Sequence, residues 1–281
     1  MRKIKRYVSL LLVLVLSLAV LTGCGAEAAP TATPVPTVAP TPVPTPAATE
    51  APAEEVVEEQ PAEPVAEEVT PAMRAAAKGL PTPPDVDITS WEFLIANSYN
   101  SILIYTPPYG SLEGQGIDER IAELTNRMIG DMRDAGVPVY VAASYRNYEF
   151  QLTHYKNKVH ELGDAYEASK VILGFGCSEH QTGLCLDISA DPSMAINYSI
   201  FDNSAVLETE TYQWMLDNCT DYGFILRYPE GKEEYYGTAC TAGHFRYVGV
   251  EAAKYITENN LCLEEFVLLY DEDAIHVPGI N

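Results

Sequence analysis

A histidine and an aspartate seven positions apart are the residues of this sequence that most suggest chemistry. His180 and Asp187 lie in one short run, with Gly183 between them. If the chain turns at the glycine and continues as a strand, the imidazole and the carboxylate converge, and both are ordinary zinc ligands. His244, which opens a predicted strand, is the best-placed third ligand, and three protein ligands leave the open position of a catalytic site. From spacing alone, a capped loop with a hydrogen-bonded histidine explains the pair at least as well.

The elements that must position these residues are mixed helices and strands. Helical steps from Ile117 to Met132 predict an amphipathic helix that ends near Gly136. The pattern then predicts a strand at 137–143, helices at 148–162 and before Gly223, strands at 224–228 and 245–248, and a helix at 250–259. Because helices and strands do not alternate strictly, the expected fold class is α+β: a single domain with a small antiparallel sheet flanked by helices.

Four motifs occur in a characteristic order along this domain. They are Ser144-Tyr145-Arg146 with Gln151, the run from Ser178 to Asp187, Gly223 to Pro229 with Gly231-Lys232, and His244 to Gly249. Together they resemble the VanY-type zinc D-alanyl-D-alanine carboxypeptidases, a branch of the LAS-type metallopeptidases that trims bacterial cell-wall stem peptides. The resemblance covers roughly Trp91 to Val267 and implies a zinc-peptidase-like domain.

The resemblance implies a role for each matching residue. Zinc would be bound by His180, Asp187 and His244. Arg146 would hold the substrate and its developing negative charge, since its guanidinium offers a fixed fork of donors. The remaining motif residues expected at the substrate, a peptidoglycan stem peptide, are Ser144, Tyr145, Gln151 and Ser178.

The last motif departs from the family pattern at the catalytic glutamate. The family reads Glu-Pro-Trp-His, whereas this chain has Thr241, Ala242 and Gly243 before His244. A threonine cannot shuttle a proton near neutral pH as a carboxylate does. One hypothesis is an active peptidase whose base is another residue, with Glu179, Glu233 and Glu234 as candidates. A second is a zinc-binding pseudoenzyme that recognises wall peptides without cleaving them, and a third is a scaffold that has lost the metal. Carboxypeptidase and dipeptidase action both stay open.

Five cysteines remain in the chain besides Cys24, which permits at most two internal bridges and a free thiol. If His180 and His244 meet at one metal, Cys177 and Cys240 approach each other, and we predict a disulfide between them. Ordinary burial and direct zinc ligation by either thiol are the alternatives. For Cys185, burial is the expectation.

The N-terminus has the layout of an export signal. A basic start precedes an apolar run of about 15 residues, which is too short for a comfortable membrane span. The run ends in Leu-Thr-Gly-Cys, which resembles the lipobox of bacterial lipoproteins. We therefore expect residues 1–23 to be a signal peptide and Cys24 to carry a lipid, which would place the protein on the outer face of the cytoplasmic membrane.

Proline and charge separate the next segment from the folded domain. Of the 20 prolines, 14 fall between Pro30 and Pro84, in a stretch that is also rich in threonine, alanine and glutamate. This composition predicts a disordered linker over residues 24–84 that reaches into the cell wall, followed by the folded domain at 85–281. The domain carries 31 acidic and 11 basic residues, a charge of −20, which excludes nucleic acid as a main partner.

Overall fold

The computed structural model describes residues 69–194, 204–238 and 241–280. All of these residues belong to one compact unit. The predicted signal peptide, Cys24, most of the predicted linker and Cys240 lie outside the described residues. Within the described ranges, every helix is too short or too polar to cross a membrane.

Helices of varied length make up most of the regular structure. Those described are α1 (Pro71–Ala77), α2 (Glu119–Asp134), α3 (Tyr148–Leu162), α4 (Ala165–Val171), α5 (Ser204–Leu207), α6 (Glu210–Asn218), α7 (Glu233–Tyr236), α8 (Val250–Glu258) and α9 (Leu263–Tyr270). Short 3-10 helices lie at Trp91–Phe93, Glu179–Thr182, Pro192–Met194 and Cys219–Tyr222.

The strands form two antiparallel sheets. They are β1 (Tyr109–Leu112), β2 (Gln115–Asp118), β3 (Tyr140–Ala143), β4 (Cys185–Ser189), β5 (Phe224–Leu226) and β6 (His244–Tyr247). The central sheet has the order β3-β4-β6-β5, and β1 and β2 form a separate hairpin. This arrangement confirms the α+β prediction, although the hairpin was not expected and Ile117 lies in β2 rather than in α2.

The central sheet buries different side chains on its two faces. Strand β4 is buried along its whole length, and alternate residues point to opposite faces. Leu186 and Ile188 join an apolar core that includes Met128 of α2 and Met215 of α6. Asp187 therefore lies on the other face.

Capping residues determine where the predicted helices begin and end. The Asn147 side chain accepts a hydrogen bond from the backbone N–H of Phe150 and begins α3, and Gly163 ends it with φ 71°. The helix predicted before Gly223 is α6 followed by a 3-10 turn, and Gly223 closes that turn with φ 75°.

The folded domain begins earlier in the chain than predicted. Helix α1 contacts α9, and Ala75 is fully buried in a second apolar core together with Phe266 of α9. The hydroxyl of Tyr255 donates to the Pro81 carbonyl (2.7 Å), and that of Tyr270 donates to the Pro84 carbonyl (2.6 Å). The predicted linker end at residue 84 is therefore wrong, because residues 71–84 pack on the domain despite their linker-like composition.

Gly183 is expected to be more sensitive to a side chain than Gly163. Both have positive φ (72° and 71°), but a Cβ at Gly183 would meet the Asp118 backbone nitrogen at 2.9 Å, whereas one at Gly163 meets nothing within 4 Å. Gly163→Ala should cost about 1 kcal/mol of unfolding free energy through strain alone. Gly183→Ala should cost about 1–3 kcal/mol more, measured by urea unfolding. Equal losses for the two variants would contradict the predicted clash.

Candidate functional site

The three predicted metal ligands meet at one end of the central sheet. Register pairs Asp187 of β4 directly with His244 of β6, and the Asp187 Oδ1 to His244 Nδ1 distance is 2.7 Å. His180 comes from the 3-10 helix before β4, where Gly183 turns the chain. Its Nε2 lies 3.1 Å from Asp187 Oδ2, and all three side chains are buried.

A backbone carbonyl determines which nitrogen of His180 can bind a metal. His180 Nδ1 lies 2.6 Å from the Ser144 carbonyl oxygen, so Nδ1 carries the proton and donates it. Nε2 then carries the lone pair, as in a metal-binding histidine oriented through its other nitrogen. Among the described residues, the buried Nε2 atoms of His180 and His244 make no hydrogen bond, and the 3.1 Å contact of His180 Nε2 with Asp187 Oδ2 lacks hydrogen-bond geometry. Buried, unsatisfied nitrogens are expected at a metal site.

The electrostatics of the cluster favour its metal-binding forms. Burial alone would raise the pKa of Asp187, but His180 and His244 outweigh it and hold the pKa well below its usual range. Burial lowers the pKa of His180 to about 4, and the nearby Arg146 guanidinium adds to this effect against the opposing Asp187 carboxylate. Near pH 7 the carboxylate is therefore ionised and the His180 imidazole is neutral, as metal binding requires.

A thiol completes the set of possible metal ligands. The ligand atoms of His180, Cys185 and His244 all lie within 4.8 Å of one another, and Cys185 is fully buried. Burial raises the pKa of the Cys185 thiol well above its ordinary value, and Glu179 and Asp187 add to the rise. Together with Asp187, this cluster offers nitrogen, oxygen and sulfur donors, a set that fits zinc.

A cavity beside the cluster contains three of the predicted substrate residues. Arg146, Gln151 and Ser178 line it together with His180 and His244. Arg146 Nη2 lies 3.3 Å from Asp187 Oδ2. Gln151 donates from Nε2 to the Leu173 carbonyl (2.6 Å), and its Oε1 is buried without a hydrogen-bond partner.

Two other predicted substrate residues lie outside this cavity. Ser144 is buried, and its carbonyl orients His180 while its hydroxyl donates to the Cys185 carbonyl (3.2 Å). Tyr145 packs edge-on against Tyr109, with ring centroids 6.4 Å apart, in a neighbouring surface groove.

The glutamates proposed as replacement bases are not placed for that role. Glu179 lines the cavity, but Arg246 Nη1 donates to its Oε2 at 2.5 Å and Arg227 Nε lies 3.1 Å from its Oε1. The Arg227 contact is an ion pair that lacks hydrogen-bond geometry. Burial would raise the pKa of Glu179, but the two arginines outweigh it and lower the pKa, which makes the carboxylate a weak base. Glu233 and Glu234 lie on α7 and do not line the cavity.

Thr241 and His154 line the cavity as well. Thr241 occupies the position of the family glutamate, so the described part of the cavity has no carboxylate there. His154 lies three residues after Gln151 on α3. That spacing places the two on one helix face and could have identified His154. Burial lowers the pKa of His154, with Arg146 and Lys158 contributing.

Comparison with known proteins identifies the family. A family model described as VanY, D-alanyl-D-alanine carboxypeptidase, matches residues 114–250. The D-alanyl-D-alanine carboxypeptidase of Enterococcus faecalis (strain ATCC 700802 / V583) is 34% identical over 191 residues, which cover 64% of this chain and 67% of the relative. The chain belongs to the VanY family. The putative carboxypeptidase YodJ of Bacillus subtilis (strain 168) is 35% identical over 150 residues, and the match spans 53% of each protein.

Solved structures agree with this VanY-family assignment. VanYB in complex with D-alanine-D-alanine has a TM-score of 0.53 and 34% identity, covering 63% of this chain and 98% of that one. A mutant of the vancomycin resistance D,D-pentapeptidase VanY, in complex with Zn(II), has a TM-score of 0.52 and 31% identity, covering 63% and 99%. The described part of this VanY-family chain leaves one earlier prediction open: Cys177 forms no disulfide with another described cysteine, but Cys240 lies outside the described residues. The disulfide therefore stays a prediction.

Glu179→Gln is expected to destabilise the fold strongly. The substitution removes the charge that faces two fully buried arginines, and breaking a buried ion pair by removing one partner typically costs about 3–5 kcal/mol. Urea unfolding followed by circular dichroism measures this loss. Glu234→Gln is the matched control, because Glu234 is exposed and should change stability by less than about 0.5 kcal/mol. Similar losses of unfolding free energy for both variants would show that the buried ion pairs of Glu179 do not contribute this stability.

Proposed function

We propose that this protein is a zinc-dependent D-alanyl-D-alanine carboxypeptidase that acts on peptidoglycan stem peptides. The observation that carries the proposal is the convergence of His180, Asp187 and His244 beside a cavity that Arg146 and Gln151 line. Membership of the VanY family supports it, as does a solved relative with bound D-alanine-D-alanine.

The cavity offers complementary groups for the end of a peptide. The Arg146 guanidinium attracts a carboxylate or a developing oxyanion, and its fork of donors suits either group. The Oε1 atom of Gln151 is a buried acceptor, and a peptide N–H is the kind of donor that would satisfy it. In a domain of net charge −20, Arg146 gives this cavity a local preference for the negatively charged peptide end.

Side chains of this protein would bind the metal, and neighbouring groups would orient them. A zinc ion bound by His180, Asp187 and His244 would supply Lewis-acid activation of water and of the scissile carbonyl. The Ser144 carbonyl keeps the proton of His180 on Nδ1, and the 2.7 Å separation of Asp187 Oδ1 and His244 Nδ1 places these two ligand groups side by side. Because the three groups are buried, little water competes for these contacts.

Peptide binding without cleavage is the second candidate function. Membership of the VanY family favours hydrolysis over it, and the observation behind it is Thr241. Loss of a general base commonly lowers turnover by about 10²–10⁴-fold while binding is retained. Glu179 is held between two arginines, so it does not substitute readily for the lost carboxylate.

An assay with a stem pentapeptide that ends in D-Ala-D-Ala tests the proposal. We expect about one zinc per chain and slow release of D-alanine that a chelator abolishes, with His180→Ala as the inactive control. No release despite bound zinc would reject hydrolysis and leave peptide binding, measured by calorimetry, as the function. Free D-Ala-D-Ala offered as a second substrate distinguishes dipeptidase action from carboxypeptidase action.

Restoring a carboxylate at residue 241 should raise the turnover. Thr241→Glu places a base at the family position, and we expect kcat to rise by about 10²–10⁴-fold. Thr238→Glu is the matched control, because Thr238 lines the same cavity and gains the same charge. An equal response of the two variants, or none from Thr241→Glu with zinc bound, would show that residue 241 is not the base position.

We further propose that the protein is a lipoprotein on the outer face of the cytoplasmic membrane. The support comes from sequence: a basic start, an apolar run and the Leu-Thr-Gly-Cys ending at Cys24. Cys24→Ser should move the protein out of the membrane fraction, whereas Cys262→Ser, a buried cysteine of the domain, should leave it there. Membrane retention of the Cys24→Ser protein would contradict lipid anchoring.

A further inference from the structure

We infer that the thiolate of Cys185 is a ligand of the metal that His180 and His244 bind. The inference rests on the metal site of the proposed function, and it does not depend on whether hydrolysis follows. Sequence analysis predicted only that Cys185 would be buried. The inference makes Cys185 a direct ligand of the ion.

The position of Cys185 follows from strand geometry. Cys185 begins β4 and lies two residues before Asp187, so both side chains point to the same face of the sheet. On that face the ligand atoms of His180, Cys185 and His244 all lie within 4.8 Å of one another. Nitrogen and sulfur ligands of a tetrahedral zinc ion are separated by about 3.5 Å, as follows from their bond lengths. Closing of about 1 Å therefore brings the thiol into coordination.

The two histidines are already oriented for a ligand on this side. The Nδ1 atom of His180 is engaged by the Ser144 carbonyl, and that of His244 is engaged by Asp187. The Nε2 atoms of both rings are buried and make no hydrogen bond with the residues that the structure describes.

A sulfur ligand changes what the site does. On metal binding, the thiol loses its proton to solvent and a metal–sulfur bond forms, so the ion gains one negative ligand. The added charge weakens the ion as a Lewis acid. Soft thiolate ligands also increase the preference for zinc over harder ions such as Mg²⁺ or Mn²⁺. With His180, Asp187 and His244, a Cys185 ligand would fill all four positions of a tetrahedral zinc site, so water would have to enter as a fifth ligand. A Cys185 ligand therefore favours retention of the metal over rapid turnover.

Cobalt(II) substitution of the purified protein tests the assignment without an activity measurement. We expect a thiolate-to-cobalt charge-transfer band in the near ultraviolet together with the visible bands of tetrahedral cobalt. Cys185→Ser should lose the near-ultraviolet band, keep visible bands, and bind zinc at least about tenfold more weakly in a chelator competition. Cys219→Ser is the matched control, because Cys219 is equally buried but belongs to the apolar core.

The outcomes separate this inference from the proposed function. Bound cobalt without the near-ultraviolet band in the wild-type protein would overturn the Cys185 assignment and leave the metal site intact. A band that disappears in Cys177→Ser or Cys240→Ser but persists in Cys185→Ser would overturn it as well. Failure to bind either cobalt or zinc would overturn both the assignment and the zinc-dependent function. If Cys185→Ser does not fold, as judged by circular dichroism, Cys185→Ala provides the same comparison without a buried hydroxyl.

Discussion

A buried network of two arginines and two glutamates is the constraint on which the rest of the domain depends. Glu179 contacts Arg246 and Arg227, and Arg227 also forms hydrogen bonds of 2.6 and 2.9 Å with Glu264. All four side chains are at most 1% exposed. Charges removed from water are tolerated only when each is paired. The segment before β4, the strands β5 and β6, and helix α9 must therefore pack in the one arrangement that pairs them.

The positions of the predicted metal ligands depend on this network. Glu179 is the neighbour of His180 in the chain, Arg246 follows His244 by two residues, and the backbone N–H of Arg227 donates to the His244 carbonyl at 3.1 Å. Asp187 is then positioned by its pairing with His244. This structural task also explains why Glu179 is unavailable for proton transfer, because the arginines that position it stabilise its ionised form.

Sequence patterns predicted the helices and strands whose ends depend on local interactions, but few of the contacts between residues far apart in the chain. Helix α3 was predicted with its observed ends, because Gly163 ends it and its side-chain spacing is helical. The approach of His180 to Asp187 followed from spacing and a glycine turn. Helix α1 was missed because its composition resembles a linker, and only the burial of Ala75 against distant residues makes it part of the domain. The pairs Arg227–Glu264 and Glu179–Arg246 are 37 and 67 residues apart, a separation that no periodicity encodes.

Two residues of the site, Thr241 and Cys185, would both lower the rate of turnover. Thr241 removes a proton acceptor from the cavity, and Cys185 adds a soft donor beside the two histidines. Without a carboxylate at residue 241, proton transfer would be slower, and the inferred Cys185 ligand would favour tight binding of an ion that polarises its ligands less. Both changes leave in place Arg146 and Gln151, the residues proposed to contact a peptide through a charge and a buried acceptor. Under the proposed function, peptide recognition and metal retention would therefore depend on groups other than those that determine the rate of turnover.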